Sequence, residues 1–138
     1  MCKRKKTVVN IDLGTSNSIC YFFRNNQYES LAITAQSHLF PSVVDYREEF
    51  VIGDSAKRAS NNPTYYVLQN TKRVLDLSYD NERVKYFYGL CNMPMNRAPN
   101  GTVQFVDEVS GAIHTPVSVA TDILKDLNRL AQSHLWNS

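Results

Sequence analysis

The first third of the chain alternates between short apolar stretches rich in β-branched residues and polar turns. Stretches with the length and composition of a strand occupy residues 7–13, 19–23 and 27–33. A polar segment that begins at Gly14 follows the first stretch, and the pair Asn25 and Asn26 follows the second. This pattern predicts a meander of three strands joined by short turns.

The middle of the chain predicts a mixture of short strands and helices. After Pro41, the predicted strands are residues 42–45, 50–52, 84–92, 102–109 and 112–114. The predicted helices are residues 54–60, which end before Pro63, and residues 65–75. Turns are expected at residues 47–49 and 94–101.

The last segment has the clearest helical pattern. Thr115 is a suitable N-cap, and Pro116 suits the first helical position. The apolar residues that follow at helical spacing are Val117, Ala120, Leu124, Leu127, Ala131 and Leu135. The sequence therefore predicts one long helix that buries this stripe and ends near Trp136.

Composition and charge narrow the class of protein. The 138 residues suit one domain, or one lobe of a larger one, with ordinary hydrophobic (43%) and charged (20%) content. Four of the 15 basic residues lie in the segment 3–6. The remainder carries 11 basic and 13 acidic residues, which argues against nucleic acid binding.

No apolar run is long enough to span a membrane, and the basic start is not followed by an unbroken apolar segment. Three isolated cysteines and three isolated histidines suggest reduced thiols and no zinc site. We therefore expect a cytoplasmic protein that binds neither membranes nor nucleic acid.

The segment from Asp12 to Ser16, with the sequence Asp-Leu-Gly-Thr-Ser, carries the candidate chemistry. Gly14 allows the backbone to approach an anion closely, and the hydroxyls of Thr15 and Ser16 add hydrogen-bond donors. Asp12 would repel phosphate but could hold a hydrated Mg²⁺ ion. The alternative is an ordinary hairpin turn, in which the same residue types are common.

Residues 10–18 resemble the first phosphate motif of the 70-kDa heat-shock chaperones. Further blocks resemble that family in the same order along the chain. They are residues 41–44, 52–57, 62–64 and 72–75, followed by the closing helix from Pro116. The resemblance covers nearly the whole chain, and several ordered blocks are more specific than any one of them.

The resemblance implies a fold, namely part of the actin-like ATPase fold, a two-lobed α/β architecture with ribonuclease-H-like cores. Residues 1–39 and 115–138 would then form a base subdomain of one lobe. Residues 40–114 would form a smaller inserted α+β subdomain.

The resemblance also implies roles in binding ATP or ADP with Mg²⁺. Asp12 would order water around the metal ion. Gly14, Thr15 and Ser16 would contact phosphate, with Asn17 beside them. Lys72 would act as the catalytic lysine that reaches the γ-phosphate.

Departures from the family pattern indicate a divergent member. Phe40 replaces a threonine, and residues 76–78 (Asp-Leu-Ser) replace a glycine and basic residues. Val117 and Ser118 replace an acidic pair. The family's second phosphate loop, adenosine site and peptide-binding domain have no counterpart in this sequence, so we expect weak nucleotide binding and no competent ATPase activity from these residues alone.

Two alternatives stay open. The chain could be a non-catalytic interaction module that binds co-chaperones or associates with itself through an exposed edge of the first strand. It could also be part of another actin-like or sugar-kinase ATPase, because those proteins share the Asp-x-Gly-Thr loop.

Overall fold

A computed structural model describes residues 7–32, 37–47 and 65–136 as a mixed α/β structure. The predicted strand at residues 50–52 and the predicted helix at residues 54–60 lie outside the described residues. So do the resemblance blocks at residues 52–57 and 62–64.

The predicted meander is confirmed. It consists of β1 (Val9–Leu13), β2 (Asn17–Arg24) and β3 (Gln27–Ser30), in that order and antiparallel. Asn25 and Asn26 join β2 to β3, and both have positive φ angles. Asparagine tolerates this left-handed conformation, which suits the twist of a tight hairpin.

Two short strands follow the meander. The first, β4 (Phe40–Pro41), pairs with the start of β2, so that the buried Phe40 lies opposite Ser18. The second, β5 (Val43–Asp45), pairs with β6 (Val67–Gln69). The prediction of extended chain at residues 42–45 is therefore confirmed for the part that β5 covers.

The predicted helix at residues 65–75 is wrong. Its first half contains β6, in which Val67 and Leu68 are buried against β5. Asn70, in the left-handed conformation, ends the strand and begins the 3-10 helix η1 (Thr71–Val74). Pairing with a distant strand overrides the local helical spacing here.

The predicted strand at residues 84–92 is also wrong, because these residues begin in the short helix α1 (Glu82–Tyr88). The Asn81 side chain caps this helix by accepting a hydrogen bond of 2.9 Å from the Arg83 backbone. Val84 and Phe87, three residues apart, are the buried residues of the helix. The sequence predicted a strand here, but the cap and this spacing are helical.

A three-stranded antiparallel sheet follows α1. Its strands are β7 (Met95–Arg97), β8 (Val103–Val106) and β9 (Ile113–His114). The predicted strands at residues 102–109 and 112–114 are confirmed in β8 and β9. The predicted turn-rich segment contains β7, which the sequence pattern did not reveal.

The closing helix is confirmed as α2 (Pro116–Trp136). The Thr115 hydroxyl accepts from the Ser118 backbone at 3.0 Å, while the Ser118 hydroxyl accepts from the Thr115 backbone at 2.7 Å. No helix in the described ranges combines the length and apolar character that a membrane span needs.

The predicted buried stripe of α2 is only partly correct. Val117 and Leu124 are 61% and 36% exposed. The residues buried along the helix are Pro116, Val119, Ile123, Asp126, Leu127 and Ala131. The buried face is therefore rotated from the predicted one, and it packs against β1, β5 and η1.

Candidate functional site

The turn between β1 and β2 is tight because Gly14 lies directly against the chain that follows it. A Cβ atom placed on Gly14 would overlap the carbonyl oxygen of Asn17. The need for glycine is therefore steric. Because glycine has no side chain, the backbone at Gly14 also allows an anion to approach closely.

Lys72 reaches this turn from η1. Its Nζ atom donates a hydrogen bond of 2.6 Å to the carbonyl oxygen of Leu13. The structure thus brings together two features that the sequence separates by nearly half of the chain. Lys72 lies on a 3-10 helix rather than on the predicted α-helix.

Hydrogen-bond donors occupy three carbonyl groups around the turn. Lys72 binds Leu13 O, the Ser42 hydroxyl donates to Gly14 O at 2.8 Å, and the Ser42 backbone donates to Ser16 O at 2.9 Å. Within the described ranges, no backbone hydrogen bond outside the strands and helices uses the N–H of Gly14, Thr15 or Ser16. The turn therefore keeps N–H groups available for an anion.

Ser42 lies in a buried pair of hydroxyl groups. Its Oγ atom is 2.8 Å from the Oγ of Ser18, and both side chains are buried. The sequence placed Ser42 in a family block but assigned it no role, and it did not single out Ser18. A contact between residues of β2 and the β4–β5 junction carries no local sequence signal.

Asn70 connects the turn to the helix that bears Lys72. The Ser16 hydroxyl donates to Asn70 Oδ1 at 3.4 Å, and Asn70 immediately precedes η1. Asn70 was not among the residues that the sequence pattern singled out. The available signal was an asparagine at the end of a strand, since asparagine readily adopts the left-handed conformation.

Asp12 and Asn17 are exposed and flank the turn, near the end of β1 and at the start of β2. Among the residues described, no group of three or more His, Cys, Asp and Glu side chains could hold a metal ion. A single exposed carboxylate suits a Mg²⁺ ion that keeps several of its waters.

The space between Lys72 and the turn is small. A cavity of about 10 Å³ lies there, with Gly14, Thr15, Ser42 and Thr71 among its lining residues. That volume suits about one water molecule. A phosphate group therefore needs the Lys72 side chain to move away from Leu13 O, or it must bind at the outer rim.

A larger open cavity of about 770 Å³ lies at Asn70, between η1 and α1. Its lining residues include Arg73 and Arg83 together with Tyr86 and Leu90. The sequence did not anticipate it, because it depends on the helix α1 that was predicted as a strand.

A polar cluster ties the end of β5 to the closing helix. The Tyr46 hydroxyl donates to Asp122 Oδ2 at 2.7 Å, and its ring stacks on His114 with centroids 3.8 Å apart. Burial, followed by the Asp122 contact, raises the pKa of Tyr46. Burial lowers the pKa of His114, although Asp122 and Asp107 act in the opposite direction.

Comparison with known proteins extends over nearly the whole chain. The sequence model of a family described as "Hsp70 protein" matches residues 8–138. The chain is 29% identical over 134 residues to "Chaperone protein HscA" of Xenorhabdus nematophila. It is 32% identical over 133 residues to "Chaperone protein HscA homolog" of Pseudoalteromonas atlantica.

A third relative is "Chaperone protein DnaK" of Psychrobacter cryohalolentis, 28% identical over 129 residues. These alignments cover 96%, 96% and 93% of this chain, but only 21%, 21% and 20% of the relatives. The chain thus spans about a fifth of the length of the curated relatives it matches.

Proposed function

The chain belongs to the Hsp70 protein family, and from this membership we propose that it forms the phosphate-holding part of a chaperone's ATP-binding domain. The observation that carries the proposal is the approach of Lys72 to the turn that contains Gly14. A lone turn of this composition is common in proteins. A turn with free N–H groups, occupied carbonyls and a lysine across it is arranged to receive a phosphate.

We place the chain in the N-terminal part of the ATPase domain, within the actin-like fold that the family implies. In this proposal the base subdomain comprises residues 1–39 and 115–138, and the inserted subdomain comprises residues 40–114. The mixed α/β character and the packing of α2 on β1 are compatible with this division.

The proposed roles follow the geometry of the turn. The N–H groups of Gly14, Thr15 and Ser16 would bind phosphate oxygens, with the hydroxyls and Asn17 at the edge of the turn. Asp12 would hold Mg²⁺ through water, and the ion would neutralise phosphate charge. Lys72 would leave Leu13 O and place its charge at the γ-phosphate.

We expect these 138 residues alone to bind nucleotide weakly and to hydrolyse it slowly. Acceleration of phosphoryl transfer needs several groups positioned around the phosphates. The described residues supply one turn and one lysine. The proposed setting is a cytoplasmic chaperone of the heat-shock type, whose other partners would be co-chaperones.

Calorimetric titration with ATP, with and without Mg²⁺, tests the proposal. The expected result is measurable affinity that rises with Mg²⁺, and Asp12→Asn should remove most of that Mg²⁺ dependence. Asp76→Asn is a matched control, since Asp76 is exposed and lies beyond η1. No heat of binding at millimolar ATP, or equal effects of the two variants, would contradict the proposal.

A second candidate function is association through the first strand. Among the described strands, β1 pairs only with β2, which leaves its other edge unpaired. Val8, just before this strand, is 63% exposed. An open apolar edge is a template for pairing with a second copy of the chain.

Sedimentation velocity over a range of protein concentrations tests this second candidate. The expected result is a concentration-dependent dimer that Val8→Lys weakens. A monomer at every concentration, or a dimer indifferent to Val8→Lys, would contradict it.

A further inference from the structure

Ser42 makes two hydrogen bonds to the turn between β1 and β2, although it lies outside the turn. Its hydroxyl donates to Gly14 O at 2.8 Å, and its backbone N–H donates to Ser16 O at 2.9 Å. These contacts hold the two carbonyls that flank Thr15. One buried residue thus fixes both ends of the Thr15 segment.

The number of hydrogens on each hydroxyl determines which serine donates in the contact between Ser18 and Ser42. A serine hydroxyl has one hydrogen to donate. Ser42 donates its hydrogen to Gly14 O, so Ser18 must donate in the 2.8 Å contact between the two hydroxyls. The chain of donors therefore runs from Ser18 through Ser42 to the turn. An unpaired hydroxyl at this depth is costly, which favours the turn conformation that accepts the bond.

This contact also determines where an amide points. In a planar trans peptide unit, the C=O and N–H bonds point in opposite directions. Because Gly14 O points towards Ser42, the N–H of Thr15 points away from Ser42. A turn free to rotate this peptide could instead present the Gly14 carbonyl to an anion and repel it.

We propose that Ser42 is a positioning residue, which orients the Gly14–Thr15 peptide so that the turn presents an N–H rather than a carbonyl to phosphate. The binding of phosphate at this turn rests on the proposed function, whereas the orientation of the Gly14–Thr15 peptide does not. The Ser18 hydroxyl contacts the Ser42 hydroxyl. Among the described side chains, no hydrogen bond joins the Ser18 side chain to the turn itself.

Backbone order in the turn tests the positioning role without nucleotide. Ser42→Ala removes the bond to Gly14 O, while the equally small change Ser18→Ala leaves it in place. In ¹⁵N relaxation, the order parameters of Thr15 and Ser16 should fall from about 0.85 to below about 0.6 in Ser42→Ala only. Equal loss in both variants, or unchanged order in Ser42→Ala, overturns the proposal.

A pair of cysteine variants keeps the test decisive if Ser42→Ala does not fold. Ser42→Cys retains a weak donor in a similar volume, and Ser18→Cys is its control. Because a thiol donates a weaker hydrogen bond than a hydroxyl, the order parameter of Thr15 should fall in Ser42→Cys and stay unchanged in Ser18→Cys. A larger fall in Ser18→Cys than in Ser42→Cys overturns the proposal.

Nucleotide affinity supplies the second readout. Mg·ATP affinity should fall roughly tenfold in Ser42→Ala and less than about twofold in Ser18→Ala, since only the first variant frees the turn. If the unmodified chain binds no ATP, the proposed function fails, while the relaxation comparison still decides the role of Ser42. If the chain binds ATP and Ser42→Ala binds it equally well, the positioning role fails alone.

Discussion

The ammonium group of Lys72 lies 2.6 Å from the carbonyl oxygen of Leu13, a residue 59 positions earlier in the chain. This contact joins η1 to the end of β1. It also holds the lysine beside the turn. A phosphate that binds there competes with a neutral carbonyl for the same cation, and the charged competitor forms the stronger hydrogen bond.

Lys72→Ala should weaken ATP binding more than ADP binding, because the lysine is proposed to reach the γ-phosphate. Unfolding free energy should change by less than about 0.5 kcal/mol, since the side chain is exposed. Titration with both nucleotides and urea denaturation check these expectations, and Lys125→Ala on α2 is the control. Equal loss of affinity for ATP and for ADP would show that Lys72 contacts a part of the nucleotide other than the γ-phosphate.

Gly14→Ala should disrupt the turn, because the added Cβ would overlap Asn17 O. We expect a destabilisation of roughly 2 kcal/mol or more and loss of ATP binding. Gly89→Ala is the matched control, since Gly89 ends α1 with an ordinary φ of −68° and its added Cβ has room. The control should be neutral or stabilising by up to about 1 kcal/mol. Similar thermal shifts for the two variants would refute the steric argument.

Tyr46→Phe should lower the unfolding free energy by about 1–2 kcal/mol, because it removes the hydrogen bond to Asp122 but keeps the ring on His114. Urea denaturation measures the change. Tyr86→Phe, at an exposed position on α1, should have almost no effect. An equally small effect at Tyr46 would show that the bond contributes no net stability.

His114 should make the fold sensitive to mild acid. Burial holds its folded pKa below the ordinary value of 6.5, so the unfolded chain binds this proton more tightly. The contribution of His114 to stability is therefore complete above about pH 6.5 and is lost as the pH falls through the lower folded pKa. His114→Phe should preserve the stacking and flatten this part of the profile.

Urea denaturation from pH 7.5 to 4.5 gives that profile. Asp45 and Asp107 also have lowered pKa values, held down first by the Arg47 guanidinium and the Ser110 hydroxyl respectively. Their stabilisation is lost only in stronger acid, below their ordinary value of 3.8. An unchanged slope between pH 6.5 and 4.5 in His114→Phe would assign the acid sensitivity to other groups.

Local patterns predicted the elements that local interactions determine. The Asn25-Asn26 turn, the meander and the capped helix α2 all carry their signals within a few residues. The wrong predictions concern segments whose structure depends on contacts with residues distant in the sequence. Residues 67–69 became β6 because β5 pairs with them, and the buried face of α2 follows from its packing on β1 and η1.

The candidate site was also predictable only in part. The resemblance placed Asp12, Gly14 and Lys72 in one site, and the structure brings Lys72 to the turn. It gave no role to Ser42 or Asn70, because their contacts with the turn join residues 28 and 54 positions apart. The chemical roles of the turn and the lysine remain predictions.

Two-dimensional NMR of the ¹⁵N-labelled chain during titration with Mg·ATP tests the central claim most directly. The predicted result is that the largest amide shifts occur at Gly14, Thr15 and Ser16, accompanied by a shift of the Lys72 side chain as it leaves Leu13 O. Signals that stay unmoved to millimolar ATP would contradict a phosphate site at this turn. Shifts that cluster instead around Arg73, Arg83 and Tyr86, in the larger cavity, would contradict it equally.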